Sequence, residues 1–551
     1  MKNLSLFDIP FEQLISEDRL YVDKTGYISL MVNEFKGCFL SRPRRFGKTL
    51  LLDTIHSLFL GREDLFRGLA IESSGWEFKK HPVIRINMDY EKLSSASKFK
   101  INVGRELKRV AEAEGIKLKT DLITEIWERL LSSLSKKYGL GVVVLIDDFD
   151  SPVVKNLGEP NLAKEMAKII NELFSSIKNY MEYIRFAFVT GVSKFILPPL
   201  DTENNQFIDI TLDPRFAGIC GFTITEFDEA FKDRMFEANK VLKAKNQIGR
   251  KTDELAFRQR IIKMYAGYDW LGPETILNPH STLNLFQQKS FGSFWPLIGM
   301  APCLAELVKN APFDFLRPKL DGYIGENIEQ TSILTPQVGP VLFHSGYLTI
   351  NNVTRVMEKD GDIEKEIDYY AFKIPNAEIT LIYDIFCLRE IFEENLEFIK
   401  EKQDEVISAI ENRHSAFLAR FLGTLLSGLP PRPKVKQDRY YRSLIMSAMV
   451  AMGAEPKSRV IGTTGPEGEI LVLPSKERLI IEVKYVKPDK NDENADKAVK
   501  LDVAFNAALT EIVAKEASES FIQLGEFVIG LGVAVYGWLR GRVGVKVGFL
   551  K

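Results

Sequence analysis

The sequence predicts an α/β protein: a parallel sheet covered by helices, then a helical region, then a separate, smaller α/β domain at the C-terminus. Three observations lead there. Apolar runs bounded by turn residues alternate with long stretches of helical periodicity in the first half, and strands separated by helices imply parallel neighbours buried on both faces. The chain has 551 residues, too many for a single core. Late in the chain SGLPPRPKVKQ (427–437) combines glycine, three prolines and basic residues, the composition of a linker, and the strand–helix alternation resumes beyond it.

In order, the expected strands of the first sheet are GCFLS (37–41), PVIRINM (82–88), GVVVLID (141–147) and IRFAFVTG (184–191). Helical patterns such as KFKINVGRELKRVAEAEG, DLITEIWERLLSSLSKKYG and NLAKEMAKIINELFSSIKNYME lie between them. From about Thr223 to Lys319 the pattern turns mostly helical, with aromatic-rich connections. Strand candidates follow at GYLTINN and DYYAFKIP, then a helical run from about Asn376 to Leu426. Past the linker come helix DRYYRSLIMSAMVAMG, strands SRVIGTTG, GEILVLP and RLIIEVKYV, helix ADKAVKLDVAFNAALTEIVAKEA and a glycine-studded strand pair. The expected domains are therefore 1–222, 223–340 (a helical lid), 341–427 (connecting), 428–437 (linker) and 438–551.

A hydrophobic content of 45% with 27% charged residues is that of a globular chain. A net charge of -2 argues against coating nucleic acid or an anionic membrane with the whole surface. The start, MKNLSLFDIPFEQL, lacks the apolar core of a signal peptide, and no run approaches the length of a membrane span. No membrane partner is expected. Cys38, Cys220, Cys303 and Cys387 lie far apart without a C-x-x-C, and the histidines form no H-x-x-x-H pair. That pattern fits neither a zinc site nor a disulfide framework, and points to a reducing cytoplasm.

The first chemical signal is FLSRPRRFGKTLLL (39–52). Strand, turn, Gly-Lys-Thr, helix is the context of a phosphate-binding loop, in which backbone N–H groups and a helix N-terminus cradle phosphate oxygens. The expected cradle runs through Arg44, Arg45, Phe46, Gly47, Lys48, Thr49 and Leu50. Lys48 would reach the β- and γ-phosphates of ATP, and the Thr49 hydroxyl would ligate Mg²⁺. Where the usual pattern has its first glycine, there is Arg42.

VVVLIDDFD (142–150) is an apolar strand ending in paired acids, the pattern that Mg²⁺-dependent ATPases use. Asp147 would hold the metal through water, and Asp148 would polarise the attacking water, with one methylene less reach than glutamate. IRFAFVTG ends near Thr190, where a polar side chain can sense the γ-phosphate; Thr also ends many strands for no such reason. Asp23 and Lys24 of YVDKT either approach the nucleotide or form a local ion pair.

These motifs, with DITLDPRFAGICGFT (209–223), MYAGYD (264–269), LNPHSTLN (277–284), SGYLTI (345–350) and FKIPNAEI (372–379), resemble the AAA-ATPase-like family of microbial proteins. That family typically carries a PD-(D/E)XK nuclease-like domain at its C-terminus. The resemblance runs from about residue 5 to 390 and resumes near 438. It implies that Arg42 and Pro43 belong to the family's loop, S-R-P-R-R-F-G-K-[ST]. Asp148 for Glu, Phe149 for Tyr, Ser151 for Lys and Lys194 for Arg are departures from its pattern.

The second signal is GEILVLPSKERLIIEVKYVK (468–487). Glu469 opens one strand, and Glu482 and Lys484 share a face late in the next. An acid, a hairpin, then E-x-K is the pattern of restriction-type nucleases. There two carboxylates (Glu469, Glu482) hold Mg²⁺ and the lysine orients the nucleophile or neutralises charge. The resemblance implies the nuclease-like fold, with departures: Glu469 stands in GPEGE where G-R-x-D is usual, and Thr510-Glu511 where A-L-x-Q-I is usual. Lys434, Lys436, Arg439, Arg442 and Lys487 surround this stretch in sequence and could meet the phosphates of nucleic acid, DNA being the expected partner.

The sequence thus supports an ATP-driven switch joined to a metal-dependent nuclease-like domain. The alternative is a nucleotide-dependent regulator or scaffold whose nuclease domain has lost catalysis and only binds DNA or a partner. ATPases of this general kind often borrow a neighbour's arginine, which would require a homo-oligomer.

Overall fold

The structure, a computed structural model, describes residues 2–5, 9–91, 93–194, 207–244, 252–295, 323–324, 338–360, 363–380, 382–383, 396–427, 437–460, 468–475, 477–489, 494–516, 528–539 and 542–550. The expected linker lies outside the described residues except for Gln437. So do Lys434 and Lys436, and the side chains of Arg439 and Glu469.

The chain divides into two compact units, Met1–Leu307 with Lys319–Leu381, and Val308–Pro318 with Ile382–Lys551. The first is built on a five-stranded, all-parallel sheet of β1 (Gly37–Ser41), β2 (Val83–Asn87), β3 (Val142–Asp147), β4 (Ile184–Gly191) and β5 (Phe207–Asp209), in the order β2-β3-β4-β1-β5. Every residue of β1 and β3 is buried, which is why these strands read as unbroken apolar runs. Four of the five strands coincide with the expected ones to within a residue at either end. The three-residue β5 carries too short a pattern to be seen in the sequence.

Between β1 and β2 runs α3 (Lys48–Phe59), preceded by α1 (Phe11–Ser16) and α2 (Thr25–Glu34). Helices α4 (Ala96–Ala113) and α5 (Ile123–Tyr138) link β2 to β3, and α6 (Ser151–Val154) and α7 (Pro160–Asn179) link β3 to β4. Each long helix buries an apolar stripe, as in α5 with Ile126, Trp127, Leu130, Leu131 and Leu134.

The expected helical lid begins with β6 (Phe222–Thr223) and α8 (Ile224–Ala244), followed by α9 (Glu254–Tyr265), β7 (Ile276–Leu277) and α10 (Pro279–Gln288). A capping box starts α8: Thr223 Oγ1 accepts from Glu226 N, and Glu226 Oε2 accepts from Thr223 N. Asn278 caps α10 by accepting from Ser281 N, with Pro279 in the first turn. Phe227, Phe231, Phe257, Ile261, Tyr265, Leu285 and Phe286 form its core. The same unit holds the antiparallel sheet of β8 (Tyr323–Ile324), β9 (Thr349–Asp360) and β10 (Ile363–Lys373), in the order β8-β10-β9.

The second unit carries β11 (Glu455–Val460), β12 (Gly468–Val472), β13 (Arg478–Val486), β14 (Val528–Leu539) and β15 (Arg542–Phe549), ordered as numbered. Only the β13–β14 pair is parallel, and the helix Asn494–Glu516 supplies the crossover that a parallel pair needs. Gly532 and Gly548 sit beneath that helix. A Cβ on either would fall within 2.8 Å of Leu509 or 2.5 Å of Phe505.

Candidate functional site

The ends of β1, β2, β3 and β4 converge at the C-terminal edge of the parallel sheet, where ligands bind in open α/β sheets. The loop after β1 has the backbone of an anion cradle. Arg45 (φ 66°) and Gly47 (φ 92°) are both left-handed, and Gly47 is the N-cap of α3. Alternating right- and left-handed residues turn successive N–H groups towards one point. Glycine adopts this backbone freely, whereas Arg45 does so at a cost. Lys48 is buried, and its Nζ donates to the loop carbonyl of Pro43 at 3.2 Å. Thr49 is exposed beside it.

Arg42 does not face this cradle. It is 1% exposed, and its Nη1 donates to Ser41 O (2.9 Å) and Thr211 O (2.8 Å), while Nη2 donates to Phe216 O (3.2 Å). Its guanidinium lies 4.4 Å from the centre of the Trp270 ring. Burial without a carboxylate partner pulls its pKa down to about 10. Phe46, also buried, meets Tyr268, Trp270 and Trp295 edge to face. The loop is thus pinned from behind by side chains of the 268–295 region.

β4 lies between β1 and β3, pairing Leu40 with Thr190 on one side and Ile146 with Val189 on the other. This brings Thr190 to the acidic tip of β3, where its Oγ1 donates to Asp147 Oδ1 at 2.6 Å. Asp148 N donates to the same oxygen at 3.1 Å. Asp147 Oδ2 is buried with no protein partner. An orphaned buried carboxylate oxygen suits a cation or its bound water, so the residues present fit Mg²⁺. Asp148 has a left-handed backbone (φ 47°). Burial pushes its carboxyl up to about 6, against the pull of Lys48 and with the help of Asp147, Asp150 and Asp89. Asp150, by contrast, is fully engaged, accepting from Val192 N, Ser193 N and Ser193 Oγ.

Loop, helix start and Asp148 line one cavity of about 350 Å³. Its apolar wall comes from Leu14, Leu20 and Val22 on the N-terminal side and Phe222 and Leu283 on the lid side. Val22, Phe222 and Leu283 lie within motifs that carry the family resemblance, whereas Leu14 and Leu20 carry no signal. Lys24 lines it too, but its ammonium is held by Glu226 (2.6 Å) and Gly218 O (2.7 Å). Asp23 instead caps Thr25 N and Ala70 N. Lys24 therefore pairs with Glu226 of α8 rather than with its sequence neighbour. Asp89, which follows β2, also faces the cavity and accepts from Ser151 Oγ (2.6 Å) and Lys155 Nζ (2.8 Å).

In the second unit Glu482 is buried and accepts from Arg442 Nη1 at 3.2 Å. Lys484 forms an ion pair with Glu511, and Asp438 Oδ1 accepts from Tyr485 N at 2.6 Å. The register pairs Ile470 with Ile480. Lys487 is exposed. Among the described residues no group of three or more His, Cys, Asp or Glu is placed to hold a metal ion, and no helix is long and apolar enough to cross a membrane.

Chains of the Drosophila ORC assembly with Cdc6 overlay on this chain weakly. The one with GC-rich DNA is 9% identical, covering 51% of this chain and 91% of its own, with a TM-score of 0.16. The one with AT-rich DNA is 10% identical, with the same coverage and a TM-score of 0.17. At such scores the overlap carries no weight. An "Uncharacterized protein in vnfD 5'region" of Azotobacter chroococcum mcd 1 is 28% identical over 446 residues, 80% of this chain and 81% of that one. Residues 9–200, which hold the loop, the acidic strand and Thr190, match the model of the AAA-ATPase-like family, described as a predicted AAA-ATPase.

Proposed function

We propose that the first unit binds and hydrolyses ATP with Mg²⁺. The observation that carries this reading is the shared cavity. A left-handed loop at a helix N-terminus, a buried lysine and Asp148 line one space, and Asp147, the residue before it, has a buried unpartnered oxygen. The amides of residues 44–49 would hold the β- and γ-phosphates. Lys48 would exchange the Pro43 carbonyl for a phosphate oxygen. Thr49 and Asp147 would hold Mg²⁺, which when bound screens the phosphate charge. Thr190 fixes Asp147 so that its second oxygen stays turned towards the ion. Asp148 would take the proton of the attacking water. ATP binding by calorimetry and phosphate release, for wild type and Lys48→Ala, test the reading.

For the second unit we propose a PD-(D/E)XK nuclease-like module that meets nucleic acid, DNA being expected, under the control of the ATP site. Two readings of its chemistry remain: Mg²⁺-dependent cutting through Glu469, Glu482 and Lys484, or binding alone. The Arg442–Glu482 and Lys484–Glu511 pairs favour binding, since both residues of the E-x-K motif already hold protein counter-charges. Degradation of plasmid and single-stranded DNA with Mg²⁺, with and without ATP, separates the two when wild type is compared with Lys484→Ala.

A further inference from the structure

We infer that Arg44 supplies, from within the same chain, the positive charge that stabilises the transferring phosphoryl group, so that hydrolysis needs no arginine from a neighbouring copy. This rests on the reading of the cavity as an ATP site.

The three arginines of the loop have different fates. Arg42 is consumed by Ser41, Thr211, Phe216 and Trp270. Arg44 and Arg45 line the cavity with Lys48, Thr49 and Asp148. Lys24, the other lysine of the lining, is spent on Glu226 and Gly218. Arg44 is half-buried whereas Arg45 is exposed. The charge of Arg44 reaches Asp89, which lines the same cavity: burial raises that carboxyl, but Lys155, Ser151 and Arg44 together hold it below its ordinary value. Arg44 therefore belongs to the side of the cavity where β2 and β3 deliver their acids. A terminal phosphate between Lys48 and Asp148 would share that cavity with Arg44.

Two features explain why a cation is needed there. Asp148 is shorter than the glutamate usual in this role, so it contributes less to activating water, and catalysis leans more on stabilising charge. Arg44 is also half-buried, which limits its motion and lowers the entropy lost when it engages phosphate. In the step itself, a water oxygen forms a bond to the γ-phosphorus while the bond to the β–γ bridging oxygen breaks. The electron pair of that bond leaves on ADP, and one water proton passes to Asp148. Negative charge grows on the bridging oxygen and spreads over the equatorial oxygens, and a guanidinium can meet two of them at once.

The test combines nucleotide affinity with turnover. Calorimetric ATP affinity and kcat are measured for wild type, Arg44→Ala and Arg44→Lys, with wild-type kcat followed over a roughly thousandfold range of protein concentration. The expected result is wild-type kcat per chain independent of concentration. Arg44→Ala should lose roughly 10³-fold in kcat with ATP affinity little changed, and Arg44→Lys should recover part of the loss. Unchanged kcat in Arg44→Ala, a loss confined to affinity, or a wild-type kcat that climbs with concentration each overturns the inference. So does wild type that binds ATP without hydrolysing it. Wild type that fails to bind ATP at all removes the underlying site, a distinct result.

Discussion

Thr190 and Asp147 are joined by a 2.6 Å hydrogen bond across neighbouring strands, and the other Asp147 oxygen is left buried and unpartnered. The bond holds the carboxylate in place, and on the proposed reading its second oxygen is the one left for the cation. Thr190→Val keeps the shape and removes the donor. We expect weaker Mg²⁺ binding at the ATP site, with the apparent Mg²⁺ requirement rising roughly tenfold, as for lost outer-shell ligand contacts. Titration of Mg²⁺ at fixed ATP measures it.

Asp148 gives the second prediction. Its carboxyl sits near 6 because burial disfavours the charge, and it must be ionised to accept a proton. The acid limb of kcat/KM, which reports the free enzyme, should therefore fall as pH drops through about 6, above the range of an ordinary aspartate. Asp148→Asn should bind ATP yet lose on the order of 10²-fold or more in kcat, and its residual rate should lack that limb.

Arg42 gives a counter-intuitive third. Restoring the glycine of the usual loop pattern with Arg42→Gly should damage the protein. It strips the partners of Thr211 O and Phe216 O and empties the face of Trp270. We expect a loss of roughly 3–5 kcal/mol, read as a lower unfolding midpoint. An unchanged midpoint with tighter ATP binding would contradict the assigned role.

Glu378 gives a fourth. Its Oε1 accepts from Ser281 Oγ, Phe294 N and Trp295 N, while Oε2 is buried without a partner. Burial pushes its carboxyl up to about 7, against those hydrogen bonds. With the folded value above the unfolded one, its stabilising contribution is full below about 4.5 and is lost as pH rises through about 7. Glu378→Gln should therefore gain stability relative to wild type at pH 8 and not at pH 5, by about 1 kcal/mol or more. Melting curves at the two pH values check the sign.

How much of this was legible in the sequence depends on the range of the interactions. Continuous apolar runs fixed β1 to β4, because strands buried on both faces need no partner to be recognised. GKT and the paired acids mark in the sequence the loop and the strand tip that the fold brings together, since each motif is local. Arg42 was opaque: its partners Thr211, Phe216 and Trp270 lie far along the chain, and only folding brings them to the loop. Asp89 carries no motif and reaches the cavity because β2 pairs with β3 so that Asn87 meets Asp147. At the C-terminus, alternation correctly set Glu482 and Lys484 on one face. It could not give the register of β12, which depends on how the intervening turn seats one strand on the next.

The most direct measurement is calorimetric titration of ATP with Mg²⁺ into wild type and into Lys48→Ala. The account predicts saturable one-to-one binding by wild type, weakened at least about a hundredfold in the variant, where a buried cation that meets phosphate is gone. Equal affinity in the two proteins, or none in wild type, would contradict it.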